Sequence, residues 1–198
     1  MLILISNPTS LAEETALIKQ LFDEGLDLFH IRRPQDSEQD VMKLIEALDS
    51  RYYPKISLHQ HHHLADRYGI RRLHFGEPHR RRQGYNMPQL LRNKGYQLST
   101  SVHNTEDFER LNPSFGYSFL GPVFDSISKP GYTASLEGAI PSLRKSTRAI
   151  AIGGIEASNV HLLRGHFDGV ALLGTIWCSH TPLRNFLQIK KIWNTQGP

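Results

Sequence analysis

A rhythm constrains this chain more than any single motif. Short apolar runs alternate with amphipathic stretches from one end to the other. The strand candidates are 2–6, 28–31, 55–58, 72–75, 97–101, 117–120, 148–152 and 169–173. The helix candidates that separate and follow them are 11–23, 37–49, 62–68, 88–94, 105–111, 136–145, 156–164 and 183–193. Ser37 is suited to an N-cap, with Asp40 three residues on, and Gly25 and Gly95 stand where helices should end. Alternation of this kind predicts parallel strands with crossover helices outside them. Closing eight such units gives a (β/α)8 TIM barrel, read here as one domain over residues 1–198. A doubly wound open sheet is the alternative. At 198 residues the chain is lean for a barrel that typically takes about 250, so its connections must be short.

Two of the strand candidates end in glycine. Ala149-Ile150-Ala151-Ile152 runs into Gly153-Gly154, and the run from Gly169 to Leu173 ends in Gly174-Thr175. The last two strands of a parallel barrel commonly build a phosphate site from such turns. Glycine there lets backbone N–H groups approach an anion with no side chain in the way. Gly153, Gly154, Gly174 and Thr175 are therefore candidate phosphate-binding residues, and the expected partner is a phosphorylated small molecule. The formal charge of +4 fits an anionic ligand. Arg80-Arg81-Arg82 reads as a solvated surface and not as a nucleic-acid site.

A single cysteine, Cys178, excludes a disulfide framework and a multi-cysteine zinc site. It is read as a packing residue in a protein of the reducing cytoplasm. The apolar run at residues 1–5 is too short for a signal peptide or a membrane span, so no membrane partner is expected. A homo-oligomer is left open.

Side chains two apart on a strand share a face. His30 and Arg32, then His59, then His74 and Gly76, then Ser101 and His103 all fall on the inward face at strand ends. His30, His59, His74 and His103 should then converge on one mouth as acid/base candidates, since imidazole exchanges protons near neutral pH. Arg32, turned inward, calls for an anionic partner. Ser101 would add a hydroxyl, and Lys129, in the loop Ser126-Ile127-Ser128-Lys129-Pro130-Gly131, would add charge over the phosphate. His59, His61, His62 and His63 raise a zinc reading, but no carboxylate or cysteine accompanies them at ligand spacing, and no metal ligand is assigned. The loops 76–87 and 123–135 would cover the mouth. Asp168, below the last strand, is read as structural.

These motifs resemble the thiamin-phosphate synthases and the related thiazole tautomerases, which are small α/β barrels. The markers are Phe119-Leu120-Gly121-Pro122-Val123-Phe124, Lys129, Ala151-Ile152-Gly153-Gly154-Ile155 and Asp168-Gly169-Val170, with His30-Ile31-Arg32, Leu73-His74-Phe75-Gly76 and Ser101-Val102-His103 beside them. The resemblance implies a thiazole phosphate ligand. In the synthases magnesium assists departure of pyrophosphate from a hydroxymethylpyrimidine, and the thiazole nitrogen captures the resulting cation. The asparagine–aspartate pair of that pattern reads His59-Gln60 here, its second aspartate falls on His79, and its lysine on Pro34. The tautomerases need no metal and use a histidine on strand six, where this chain has Pro122. His103 matches a histidine position of the family. The expectation is metal-free, tautomerase-like acid/base chemistry on a thiazole phosphate. Magnesium would be needed only if the synthase reaction is retained, and a non-catalytic phosphate-binding regulatory barrel is the reading from another class.

Overall fold

The apolar runs become eight strands: β1 (Leu2–Ile5), β2 (Leu28–Ile31), β3 (Ile56–Leu58), β4 (Arg72–Phe75), β5 (Gln97–Val102), β6 (Phe115–Leu120), β7 (Arg148–Ile152) and β8 (Gly169–Leu172). The computed structural model describes residues 1–84, 86–125 and 147–195. Every strand pairs in parallel with its sequence neighbours, and β8 pairs with β1, so the sheet closes in the order β1 to β8. The TIM barrel expected from the alternation is the fold observed. Closure satisfies both edges of the sheet, which an open arrangement would leave unpaired.

Alternation along each strand divides the apolar residues into two sets. Ile3, Ile5, Leu28, Tyr117, Phe119, Ile150 and Ala171 pack inside the barrel. Leu2, Leu4, Phe29, Ile31, Leu58, Leu73, Val102 and Leu172 pack outward against the helices. The inward row therefore carries the polar residues of the strand ends, and register sets which of them meet. His30 is paired with Ser57, His74 with Ser99, and Ser101 with Phe119.

The described helices are α1 (Glu14–Asp23), α2 (Glu38–Glu46), α3 (Leu64–Tyr68), α4 (Glu77–Arg82), α5 (Met87–Asn93), α6 (Thr105–Glu109), α7 (Gly174–Trp177) and α8 (Pro182–Asn194). None of them is long and apolar enough to cross a membrane. Ser37 caps α2 as its sequence suggests, its Oγ accepting from the Asp40 N–H at 3.3 Å. The helix candidate 136–145 lies outside the described residues.

Two connections differ from the sequence reading. The stretch 156–164 forms only a 3-10 turn, Val160–Leu163. Asn159 explains this: its Oδ1 accepts from Glu156 N and its Nδ2 donates to Gly154 O, both at 2.9 Å, which offers the backbone an alternative to a helical first turn. The loop 76–87 instead contains α4. Glu77 and Pro78 open that helix and Arg80, Arg81 and Arg82 close it, so its charges match the helix dipole at both ends.

The foot of the barrel is tied by Met1 and Asp168. The Met1 ammonium donates to Asp168 O at 3.0 Å, and the Asp168 carboxylate accepts from Ala149 N at 2.7 Å, in keeping with a structural role. Behind the mouth, Arg33 and Glu14 form a buried ion pair, 1% and 7% exposed, with Asp36 3.8 Å from the guanidinium.

Candidate functional site

A cavity of about 470 Å³ opens at the C-terminal ends of the strands, the face on which barrels of this class carry their sites. Its walls include Arg32, His59, His74, Ser101, His103, Gly153, Gly154, Gly174 and Thr175. Gly76, Glu77 and Pro78 line it too, so the loop after β4 does border the mouth. His30 lies one layer deeper and is fully buried.

Three of the four expected histidines touch. His30 Nδ1 is 2.9 Å from His59 Nε2, and the His59 and His74 rings stack with centroids 3.9 Å apart. His30 sits edge-on to both, at 5.1 Å from His59 and 5.5 Å from His74. Phe119 walls the group, 4.9 Å from His30 and 5.0 Å from His74. Hydroxyls hold the outer edges. Tyr117 Oη lies 2.7 Å from His30 Nε2, Ser99 Oγ 2.9 Å from His74 Nδ1, and Ser101 Oγ 2.9 Å from His74 Nε2. Ser99 and Tyr117 were not singled out in the sequence, although each stands two residues before an inward-facing partner on its strand.

Burial dominates the electrostatics of this group. It pushes the His30 pKa down to about 3, and Arg72 adds to the effect. It also holds His59 and His74 well below the ordinary histidine value, with neighbouring histidines and Arg32 contributing. The three rings are therefore neutral at physiological pH, so they offer lone pairs and hydrogen bonds and are poor proton donors.

His103 stands apart at the rim with its side chain 54% exposed. Its Nδ1 donates to Gly121 O at 3.0 Å, which leaves Nε2 facing the Glu77 carboxylate at 3.7 Å. Glu77 is shared with Arg81 at 2.5 Å. No periodicity marks Glu77 as a site residue; the turn into α4 brings it there.

The glycine turns have a second constraint besides ligand access. Gly153 and Gly154 have φ of +103° and +61°. A Cβ on Gly153 would lie 2.6 Å from Pro122 Cβ, and one on Gly154 would strike Asp125 O. The loop after β6 crosses them closely, with Val123 N donating to Ile152 O at 2.9 Å and Phe124 N to Gly153 O at 3.3 Å. Gly174 begins α7, and Thr175 is buried beside it. Arg32 is exposed at the end of β2, two strands round the barrel from β8, and its guanidinium forms no ion pair among the described residues. Lys129 lies outside the described residues.

The remaining histidines serve other contacts. His62 donates from Nε2 to the carbonyls of Leu58 and His74, at 3.0 and 3.1 Å. His63 meets Glu38 at 2.9 Å, and His61 faces the same carboxylate at 4.0 Å. His59 thus joins His30 and His74, not its sequence neighbours. Gln60 turns away from the cavity and clamps the backbone of Arg33, donating to its carbonyl and accepting from its N–H. Cys178 is exposed and not packed, because α7 turns it to the surface.

A family model described as thiamine monophosphate synthase matches residues 2–176. Among solved structures, thiamine phosphate pyrophosphorylase from Bacteroides thetaiotaomicron is 22% identical, aligns over 100% of this chain and 99% of its own, and gives a TM-score of 0.75. Thiamine phosphate pyrophosphorylase from Pyrococcus furiosus is 16% identical over 97% of this chain and 94% of its own, with a TM-score of 0.76. 3-Hexulose-6-phosphate synthase from Salmonella typhimurium is 16% identical over 97% of each chain, with a TM-score of 0.67. No curated protein matches the chain. At these identities the structural likenesses concern the fold.

Proposed function

Because the chain belongs to the thiamine monophosphate synthase family, we propose that it holds a thiazole phosphate, or a close phosphorylated heterocycle, and moves protons on it without magnesium. The observation that carries this reading is the donor set of the cavity. Magnesium takes hard oxygen ligands in octahedral geometry. Among the described residues the cavity offers one carboxylate, Glu77, and Arg81 already pairs with it. Gln60 is committed to the Arg33 backbone, and His79 lies exposed, 5.6 Å from the His62 ring. This set does not fit the ion that the coupling reaction requires.

In this reading the phosphate rests against Gly153-Gly154 and Gly174-Thr175, and Arg32 supplies a cation at the same mouth. The heterocycle lies over His59, His74 and Ser101. His103 exchanges the proton at Nε2, and Glu77, 3.7 Å away, orients its ring. His30 and Ser101 hold the neutral rings of the floor in place.

The test offers the purified protein two substrate sets. One is the thiazole carboxylate phosphate tautomer alone; the other is hydroxymethylpyrimidine pyrophosphate plus thiazole phosphate, with and without magnesium. The reading expects tautomer interconversion that survives magnesium removal and falls at least a hundredfold in His103→Gln. Rapid magnesium-dependent coupling would overturn it.

A further inference from the structure

We propose that His30, His59 and His74 form a three-histidine site for a borderline divalent transition metal of the zinc(II) class, with its fourth position open to the cavity. One ring nitrogen from each of the three lies within 4.8 Å of the others. Three protein nitrogens and one open position are the pattern of a reactive zinc site, whereas a purely structural site closes all four. Imidazole nitrogen suits zinc, copper and nickel and does not suit magnesium. The inference therefore departs from the metal-free chemistry expected from the sequence, yet agrees with the exclusion of magnesium.

The surrounding hydroxyls are placed as a metal site requires. A ligating imidazole usually donates its other N–H to an oxygen, which holds the tautomer and the ring plane. Tyr117 Oη can accept from His30 Nε2, and Ser99 Oγ from His74 Nδ1. The first contact leaves the lone pair of His30 Nδ1 toward His59, and the second makes His74 Nε2 the ligating nitrogen; Ser101 Oγ, now 2.9 Å from that nitrogen, has to give way to the ion. His59 Nε2 already faces His30 Nδ1 at 2.9 Å. An ion between them would replace the shared proton. With Zn–N bonds of about 2.0–2.1 Å, tetrahedral ligands stand roughly 3.3 Å apart, so this pair opens by a few tenths of an ångström; because the His59 and His74 rings stack at 18°, one of them must also rotate out of the stack to bring its nitrogen edge-on to the ion.

The site also has support and access. His30 and His74 are buried and come from adjacent strands of the closed barrel, and Phe119 backs both rings. His59 opens to the cavity, which gives an entry path. Arg72 and Arg32 bring positive charge near the cluster, so an anionic ligand in the cavity should strengthen metal binding. That last point rests on the proposed phosphate site; the coordination argument does not.

The experiment strips the purified protein with a chelator and titrates it with cobalt(II), reading the visible band of tetrahedral cobalt, then displaces the cobalt with zinc. One equivalent per chain is expected. His59→Asn, which alters a ring at the cavity edge, should weaken binding at least a hundredfold, and His30→Gln likewise if it folds. Tyr117→Phe should weaken it by roughly 10–100-fold. His63→Ala should leave it unchanged. No stoichiometric band, or a band lost in His63→Ala and kept in His59→Asn, overturns the site. Inorganic phosphate binding to the metal-free protein, and its dependence on Arg32, is measured in parallel. Failure there with cobalt binding intact would fall on the proposed function alone.

Discussion

The Tyr117 hydroxyl lies 2.7 Å from Nε2 of His30 inside the barrel, and both side chains are buried. A tyrosine on β6 thus reaches across the interior to set the orientation of a histidine on β2. Burial raises the pKa of the phenol, and Ser99 and Ser57 moderate that rise, so the hydroxyl stays protonated.

Tyr117→Phe removes this contact and strands a buried ring nitrogen. The cost should be about 1–3 kcal/mol. Denaturant unfolding of the chelator-treated protein measures it, and an unchanged midpoint would mean that His30 finds another partner.

Arg33 and Glu14 are a buried pair with little solvent to replace either partner. Glu14→Gln should destabilise by roughly 3–5 kcal/mol because a buried guanidinium then faces only Asp36, at 3.8 Å. The double change Glu14→Gln with Arg33→Met should recover most of that loss. Failure of the double variant to recover would point to Asp36 and the Gln60 clamp as the larger contributors.

Gly154 and Gly69 make a controlled comparison. Both have left-handed φ, +61° and +67°, but a Cβ on Gly69 meets nothing within 4 Å. Gly69→Ala should cost roughly 1–2 kcal/mol for the backbone conformation. Gly154→Ala should cost more, because the added carbon would strike Asp125 O and lie 2.8 Å from Phe124 Cβ. Equal thermal shifts in the two variants would contradict the close loop crossing.

Arg32 is exposed, and among the described residues its side chain forms no ion pair. Arg32→Ala should therefore leave the unfolding midpoint within about 0.5 kcal/mol while weakening phosphorylated ligands by roughly 10–100-fold, the value of a charge-assisted contact. Calorimetric titration with a thiazole phosphate checks this. Loss of stability without loss of affinity would remove Arg32 from the site.

His62 links acid pH to stability. Burial lowers its pKa from 6.5 to about 4, His79 adding to the effect, while the carbonyls of His74 and Leu58 oppose it. The unfolded chain binds the proton first, so this contribution is intact above pH 6.5 and is lost as pH falls from 6.5 toward 4. The full effect is roughly 3 kcal/mol. Thermal unfolding across that window should show a shallower acid slope in His62→Asn than in the parent chain.

Much of this was legible in advance because it depends on local periodicity. The run 149–152 is apolar and β-branched at alternate positions, and with Arg148 it forms β7. The period of two placed His30, His74 and Ser101 on the inward face, and each lies there. Where local rules compete, periodicity alone misleads. Asn159 diverts a stretch with helical periodicity into one 3-10 turn, and Glu77-Pro78 starts a helix inside what reads as a loop.

The barrel, its inward residues and the glycine turns follow from local pattern, because strand alternation and parallel crossover are local rules applied eight times. Long-range packing sets the rest: that His30, His59 and His74 touch while His103 stands apart, that Gln60 serves the backbone of Arg33, and that Tyr117 meets His30. Those contacts span up to 87 residues of chain and depend on how far each strand is staggered when the sheet closes. The neutrality of the three rings is likewise a property of the closed barrel, since it comes from burial, and no residue carries its burial in its name.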